Sequence, residues 1–135
     1  MRNTCNAHLL DTHTVYWYTT GDAKLSTPAQ KAIQDIANDV LISPVSLWEI
    51  AIKVSKGKWQ MNQPFDIFWQ TCYKNYGFLL LPLEPSHTIT VCNLPYPTNH
   101  RDPFDRMLAA QALCENIQIV SADESFDAYA ISRIW

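Results

Sequence analysis

Short apolar runs of strand length alternate along this chain with stretches whose apolar residues recur at helical spacing, and turn residues mark most of the changes. The pattern predicts strands over residues 8–10, 40–43, 78–81, 117–120 and 130–134. Helices are predicted over residues 12–18, 27–37, 45–56, 64–76, 85–94 and 103–115. Their starts carry recognisable chemistry. Thr27, Pro28 and Gln30 supply a cap, a first-turn proline and a capping-box partner, Ser43 with Pro44 repeats the cap-plus-proline signal, and Asp102 with Pro103 does so again. Gly57 is placed to end the third helix. The clearest loop is PYPTNHRDP, where Pro95, Pro97 and Pro103 remove amide donors and bias the preceding residues away from helix.

Strands separated by helical segments call for a parallel sheet with helices on both faces, an α/β architecture. With 135 residues, 47% of them hydrophobic, the chain suits one compact domain rather than two cores. No internal repeat or low-complexity tract interrupts it. The net charge of −3 gives no bulk attraction to nucleic acid, so any such contact must come from a local basic patch or a bound metal. The longest apolar run, around FLLLPL, is far below the roughly 20 residues of a membrane span, and MRNTCNAHLLDTH has no uninterrupted apolar stretch of signal length. A soluble, cytoplasmic protein is expected. Cys5, Cys72, Cys92 and Cys114 form no CxxC pair and have no His at zinc-finger spacing, so they read as four buried free thiols.

Four acids change the picture. Asp11 and Asp123 follow predicted strands, Asp105 lies in the first turn of a helix and Glu49 about one turn into another. In a parallel sheet the crossover helices run antiparallel to the strands, so helix amino termini and strand carboxyl ends share one edge, where open α/β sheets bind ligands. Each acid also has a plain structural use: Asp11 and Asp123 as caps, Asp105 as a first-turn acid favoured by the helix dipole. Glu49, among Trp48, Ile50, Ala51 and Ile52, is the hardest to explain that way, because a buried carboxylate without a partner costs free energy. Together the four make a pocket for a hard divalent cation.

The motifs LLDTH, SLWEIAIK with KGK, LPLEPSH, HRDPFDRMLAAQA and SADESF, in that order over nearly the whole chain, resemble those of the PIN-domain nucleases, and within them the VapC-like toxins of type II toxin-antitoxin pairs. The resemblance implies a three-layer α/β/α domain around a parallel sheet of four to five strands. It also implies an endoribonuclease dependent on Mg²⁺, with Mn²⁺ as a substitute, that leaves 5′-phosphate ends, is inhibited by a small antitoxin protein and forms a homodimer. Asp11, Glu49, Asp105 and Asp123 fall on the family's acidic quartet. Because Mg²⁺ takes one or two carboxylates directly and keeps several waters, Asp11 and Asp105 are expected as direct ligands, with Glu49 and Asp123 as outer ligands or water orienters. Thr12, Ser46 and Ser121 fall on supporting polar positions; Ser121 keeps only the hydroxyl of a position that is often Thr.

Contacts to an RNA backbone would need cations near these acids, and Arg101, Arg106 and Lys53 are the candidates. His13 is read as structural rather than as an acid–base catalyst. The aromatic residues Tyr16, Trp17, Tyr18, Trp48, Trp59 and Trp69 are expected mostly in the core, with some available for an antitoxin or a dimer seam. Two other classes also fit clustered carboxylates on such a sheet, a metal-dependent phosphomonoesterase and a noncatalytic RNA- or protein-binding module.

Overall fold

The computed structural model describes residues 6–97 and 102–135. Arg101, His100 and Cys5 lie outside the described residues. Five strands form one sheet in the order β3-β2-β1-β4-β5: β1 (Ala7–Leu10), β2 (Asp39–Ile42), β3 (Leu79–Leu80), β4 (Gln118–Val120) and β5 (Arg133–Ile134). Every neighbouring pair is parallel, with Leu9 opposite both Leu41 and Ile119. Among the described residues six α-helices make the crossovers: α1 (Thr12–Thr20), α2 (Thr27–Gln34), α3 (Pro44–Ser55), α4 (Phe65–Lys74), α5 (Pro85–Cys92) and α6 (Pro103–Glu115).

The sheet is buried on both faces, as a parallel sheet must be. Ala7, Leu9, Leu41 and Ile119 pack with Leu108, Ala109 and Ala112 of α6, while Leu10, Val40, Ile42 and Val120 pack on the other side with Val15, Ile33, Ile50 and Phe68. The residue alternation along β1 therefore splits its side chains between two cores. β3 is the weakest element. Only Leu79 and Leu80 pair, and both are exposed at the sheet edge, so the predicted strand over 78–81 shortens to its middle.

The caps fall close to where the residues place them. Ser43 accepts the Val45 amide at 3.1 Å and Asp102 the Asp105 amide at 3.1 Å, each ahead of a first-turn proline. For α2 the cap is Ser26 rather than Thr27, accepting the Ala29 amide at 3.2 Å. Two expectations about the core fail. Cys72 is buried, but Cys92 and Cys114 are exposed near the ends of α5 and α6. Trp48 is 62% exposed, because α3 turns Val45 and Ile50 inward and leaves Trp48 on its outer side. Among the described residues no helix is long and apolar enough to cross a membrane.

Candidate metal centre at the carboxyl edge of the sheet

Strand β1 ends on Asp11, and that residue does two jobs at once. Its Oδ1 accepts the His13 amide at 2.7 Å and so caps α1, while its Oδ2 accepts the Ser121 hydroxyl just beyond β4. Ser121 Oγ in turn accepts the Asp123 amide at 3.0 Å, and Asp123 caps the 3₁₀ turn over Glu124–Ala128 by accepting the Ser125 amide at 2.9 Å. One hydroxyl thus fixes two of the four acids against each other across adjacent strands. Thr14 Oγ1 adds a bond of 2.8 Å to the Val120 carbonyl.

The other two acids arrive from helix amino termini. Glu49 lies one turn into α3, and Asp105 in the first turn of α6. Thr12 Oγ1 donates to Ser46 Oγ at 3.1 Å, with both residues buried, which ties the start of α1 to the start of α3. The structure therefore brings Asp11, Glu49, Asp105 and Asp123 to one edge, with Thr12, Ser46 and Ser121 holding the elements that carry them.

The acids sense one another. Asp105 is pushed up to about 8, first by burial and then by the charges of Asp11, Asp102, Glu49 and Asp123. Asp11 is raised mainly by burial, against the lowering effect of its bonds from Ser121 and the His13 amide. Like charges gathered in a half-buried cleft oppose ionisation until a cation balances them. Glu49 shows the same need in its geometry. Its Oε2 faces Lys53 Nζ at 3.5 Å, but Oε1 is buried with no hydrogen-bond partner among the described residues. An all-oxygen donor set with an orphaned carboxylate oxygen fits a hard divalent cation.

No three of these carboxylates have closed to within 4.8 Å of one another; among the described residues only the ligand atoms of His87, Cys114 and Glu115 do so. That second group does not fit a metal. His87 Nδ1 accepts the Glu84 amide at 3.0 Å, which uses the lone pair of the ring, so Nε2 carries the proton and donates to Glu115 at 2.9 Å. The trio is a clip between α5 and α6. At the sheet edge, by contrast, Glu49 keeps one buried carboxylate oxygen without a hydrogen-bond partner among the described residues.

The expected cations are placed differently from the expectation. Arg106 is 4% exposed. Its guanidinium donates to the Pro95 carbonyl at 2.7 Å, reaches the Leu94 carbonyl and the Tyr129 hydroxyl, and lies 3.9 Å from the centre of the Tyr96 ring. It is spent on holding the 94–96 segment against α6 and cannot present itself to a phosphate backbone. Lys53 is half-buried, set between Glu49 and the Trp59 ring at 4.2 Å. Sequence reasoning missed Tyr129 as a neighbour of the acids: burial raises its hydroxyl, Arg106 opposes that, and the charges of Asp105 and Asp123 reach it. It missed Trp135 as well, which joins the rings beside α1. No local pattern marks either position, since both are brought in by the return of the chain to β5.

A model of the PIN domain family matches residues 8–132. Ribonuclease VapC22 of Mycobacterium tuberculosis is 27% identical over 127 residues, covering 93% of each chain. Among solved structures, VapBC2 from Rickettsia felis, bound to a DNA fragment from its promoter, aligns with a TM-score of 0.67 at 14% identity, covering 94% of this chain and 96% of that one. FitAcB from Neisseria gonorrhoeae aligns with a TM-score of 0.61 at 15% identity, over 93% and 95%. The family match runs through strands β1 to β4 and includes the positions of all four acids.

Proposed function

This chain belongs to the PIN domain family, and from that premise we propose that it is a Mg²⁺-dependent endoribonuclease, the toxin of a type II toxin-antitoxin pair. The observation that carries the reading is Glu49, whose buried Oε1 has no partner in a cleft already crowded with carboxylates. Such a carboxylate is costly unless a cation joins it. A divalent ion held there supplies Lewis acidity and neutralises charge developing on a phosphodiester.

The residues divide the remaining work. Asp11 and Asp105 would hold the ion, Asp11 being fixed by Ser121 and the His13 amide. Glu49 and Asp123 would accept hydrogen bonds from, and so orient, the water that attacks phosphorus in line, one of them taking the single proton that it loses. Lys53 pairs with one Glu49 oxygen and leaves the other, buried and without a hydrogen-bond partner among the described residues, available to a cation. Attack by water expels the 3′ oxygen, so the fragments carry 5′ phosphates and 3′ hydroxyls, and the ribose 2′ hydroxyl takes no part. The named relative is a ribonuclease, and the aligned structures are of VapBC2 and FitAcB, which supports an antitoxin as protein partner here. A homodimer is part of the same reading, through the apolar groove that Trp48 and Phe104 share.

Purified protein incubated with RNA should give ligatable 5′-phosphate ends in Mg²⁺ and nothing in EDTA. Asp11→Asn should cleave at least about 10- to 100-fold more slowly, since losing even an outer partner of a metal ligand has that effect. Equal cleavage by both proteins, or cyclic phosphate ends formed in EDTA, would overturn the assignment.

A further inference from the structure

One side chain grips both ends of the loop that carries Asp123. Arg133, the first residue of β5, donates from Nε to Asp127 Oδ1 at 2.9 Å and from Nη2 to Asp127 Oδ2 at 3.1 Å, while its Nη1 donates to the Ser121 carbonyl at 3.0 Å. Ser121 begins the loop, and Asp127 lies in the 3₁₀ turn that Asp123 caps. The same Ser121 donates its hydroxyl to Asp11 and accepts the Asp123 amide. The guanidinium is raised above its ordinary value first by the Asp127 bond and then, against burial, by the charges of Asp127, Glu124 and Asp123. Phe126, fully buried, seats the middle of the turn in the core.

Ion pairs at a surface contribute little to stability, and the Asp127 side chain is 54% exposed. A bidentate fork contributes orientation instead, because two parallel bonds fix the planes of both groups. With the Ser121 carbonyl as a third contact, the guanidinium sets the angle between the end of β4 and the turn. That angle decides where Asp123 stands relative to Asp11. Backbone pairing with β5 does not set it, since the bond of 3.1 Å from the Ser121 amide to the Ile134 carbonyl holds the strand end and not the turn.

We propose that Arg133 is a positioning residue for the metal centre: by clamping Ser121 and Asp127 together it fixes Asp123, and through the Ser121 hydroxyl Asp11, in the arrangement a cation requires. The proposal rests on the nuclease reading above and adds the group that sets the fourth acid.

Hydrogen exchange in metal-free protein reads the clamp without any chemistry. The amides of Asp123 and Ser125, bonded to Ser121 Oγ and Asp123 Oδ1, should exchange about tenfold faster in Arg133→Gln, the effect of one lost charge-assisted bond, while those of Leu9 and Leu41 in the sheet centre keep their wild-type rates. Asp127→Ala, which removes an exposed carboxylate, should quicken the same two amides and carries the test should Arg133→Gln not fold. Cleavage of RNA in Mg²⁺ then reads the consequence: Arg133→Gln should lower kcat about tenfold with KM unchanged, the effect of an outer partner of a metal ligand. Arg133→Lys should stay closer to the Gln variant than to wild type, since an ammonium cannot hold both ends of the loop. In an Asp123→Asn background Arg133→Gln should cost nothing more, whereas a merely structural role would cost the same in both backgrounds. Wild-type exchange at Asp123 and Ser125 in the clamp variants, Arg133→Lys equal to wild type, or an undiminished Arg133 effect in Asp123→Asn each overturns the proposal. Should wild type not cleave, Mn²⁺ affinity by calorimetry replaces kcat in the same cycle: a loss in Arg133→Gln that vanishes in Asp123→Asn upholds the clamp while the nuclease reading fails, and its absence overturns the clamp.

Discussion

Asp105 holds a proton that the unfolded chain would release, with a folded value of about 8 against 3.8 for an ordinary aspartate. A group raised on folding contributes stability that is full below its unfolded value and is lost as pH rises through its folded value. In metal-free protein the melting temperature should therefore fall as pH rises from about 4 to about 8, and fall less in Asp105→Asn. Mg²⁺ should reverse the loss at pH 8 and raise wild type more than the variant; binding to the native state contributes about 2.7 kcal/mol at a hundred times the dissociation constant. Thermal scans with EDTA or Mg²⁺ decide the matter, and equal shifts in both proteins would count against a shared cation. At this scale the four acids were legible because each sits where a strand ends or a helix begins. The bland reading of Asp11 and Asp123 as caps is also correct, since both accept an amide two residues on. Capping and the candidate site use different oxygens or lone pairs of the same carboxylates.

Helix α6 shows what an element conceals from its own sequence. Asp102, Pro103 and Asp105 announce its start, but nothing in RDPFDRMLAAQA says that Arg106 points inward. Its role depends on carbonyls of residues 94 and 95 and on Tyr129, remote partners that no helical period encodes. Arg106→Met should lower unfolding stability in urea by about 3 kcal/mol, because it leaves buried carbonyls without donors. Arg106→Lys should restore less than half of that loss, since an ammonium cannot replace the planar fork. An unchanged urea midpoint in the Met variant would show that the clamp is not what holds the 94–96 segment. The short edge strands β3 and β5 were overcalled for a related reason: their length is set by the neighbour they pair with, which local apolar content does not reveal.

For the whole molecule, the alternation of strands and helices was enough to read a parallel α/β sheet, and the sheet edge was enough to bring the acids together. Strand order and the outer surface were not legible. Trp48 sits at helical spacing with core residues yet lines an open apolar groove of about 590 Å³ with Pro44, Val45, Leu83, Phe104 and Met107. The groove runs between α3 and α6, the two helices that carry Glu49 and Asp105. If it is the dimer seam, light scattering should give twice the monomer mass for wild type and the monomer mass for Trp48→Glu, and a monomeric wild type would remove the seam. The bond from Ser121 to Asp11 has a consequence of its own. It joins residues 110 positions apart and fixes the first acid only when β4 has docked beside β1. A growing chain can bury β1 against β2 and cap α1 before β4 is made, but at that stage Asp123 has yet to be added and nothing holds the Asp11 Oδ2. In the nuclease proposed above, the first acid would therefore be fixed in place only once β4 has docked, which ties assembly of the site to completion of the sheet centre.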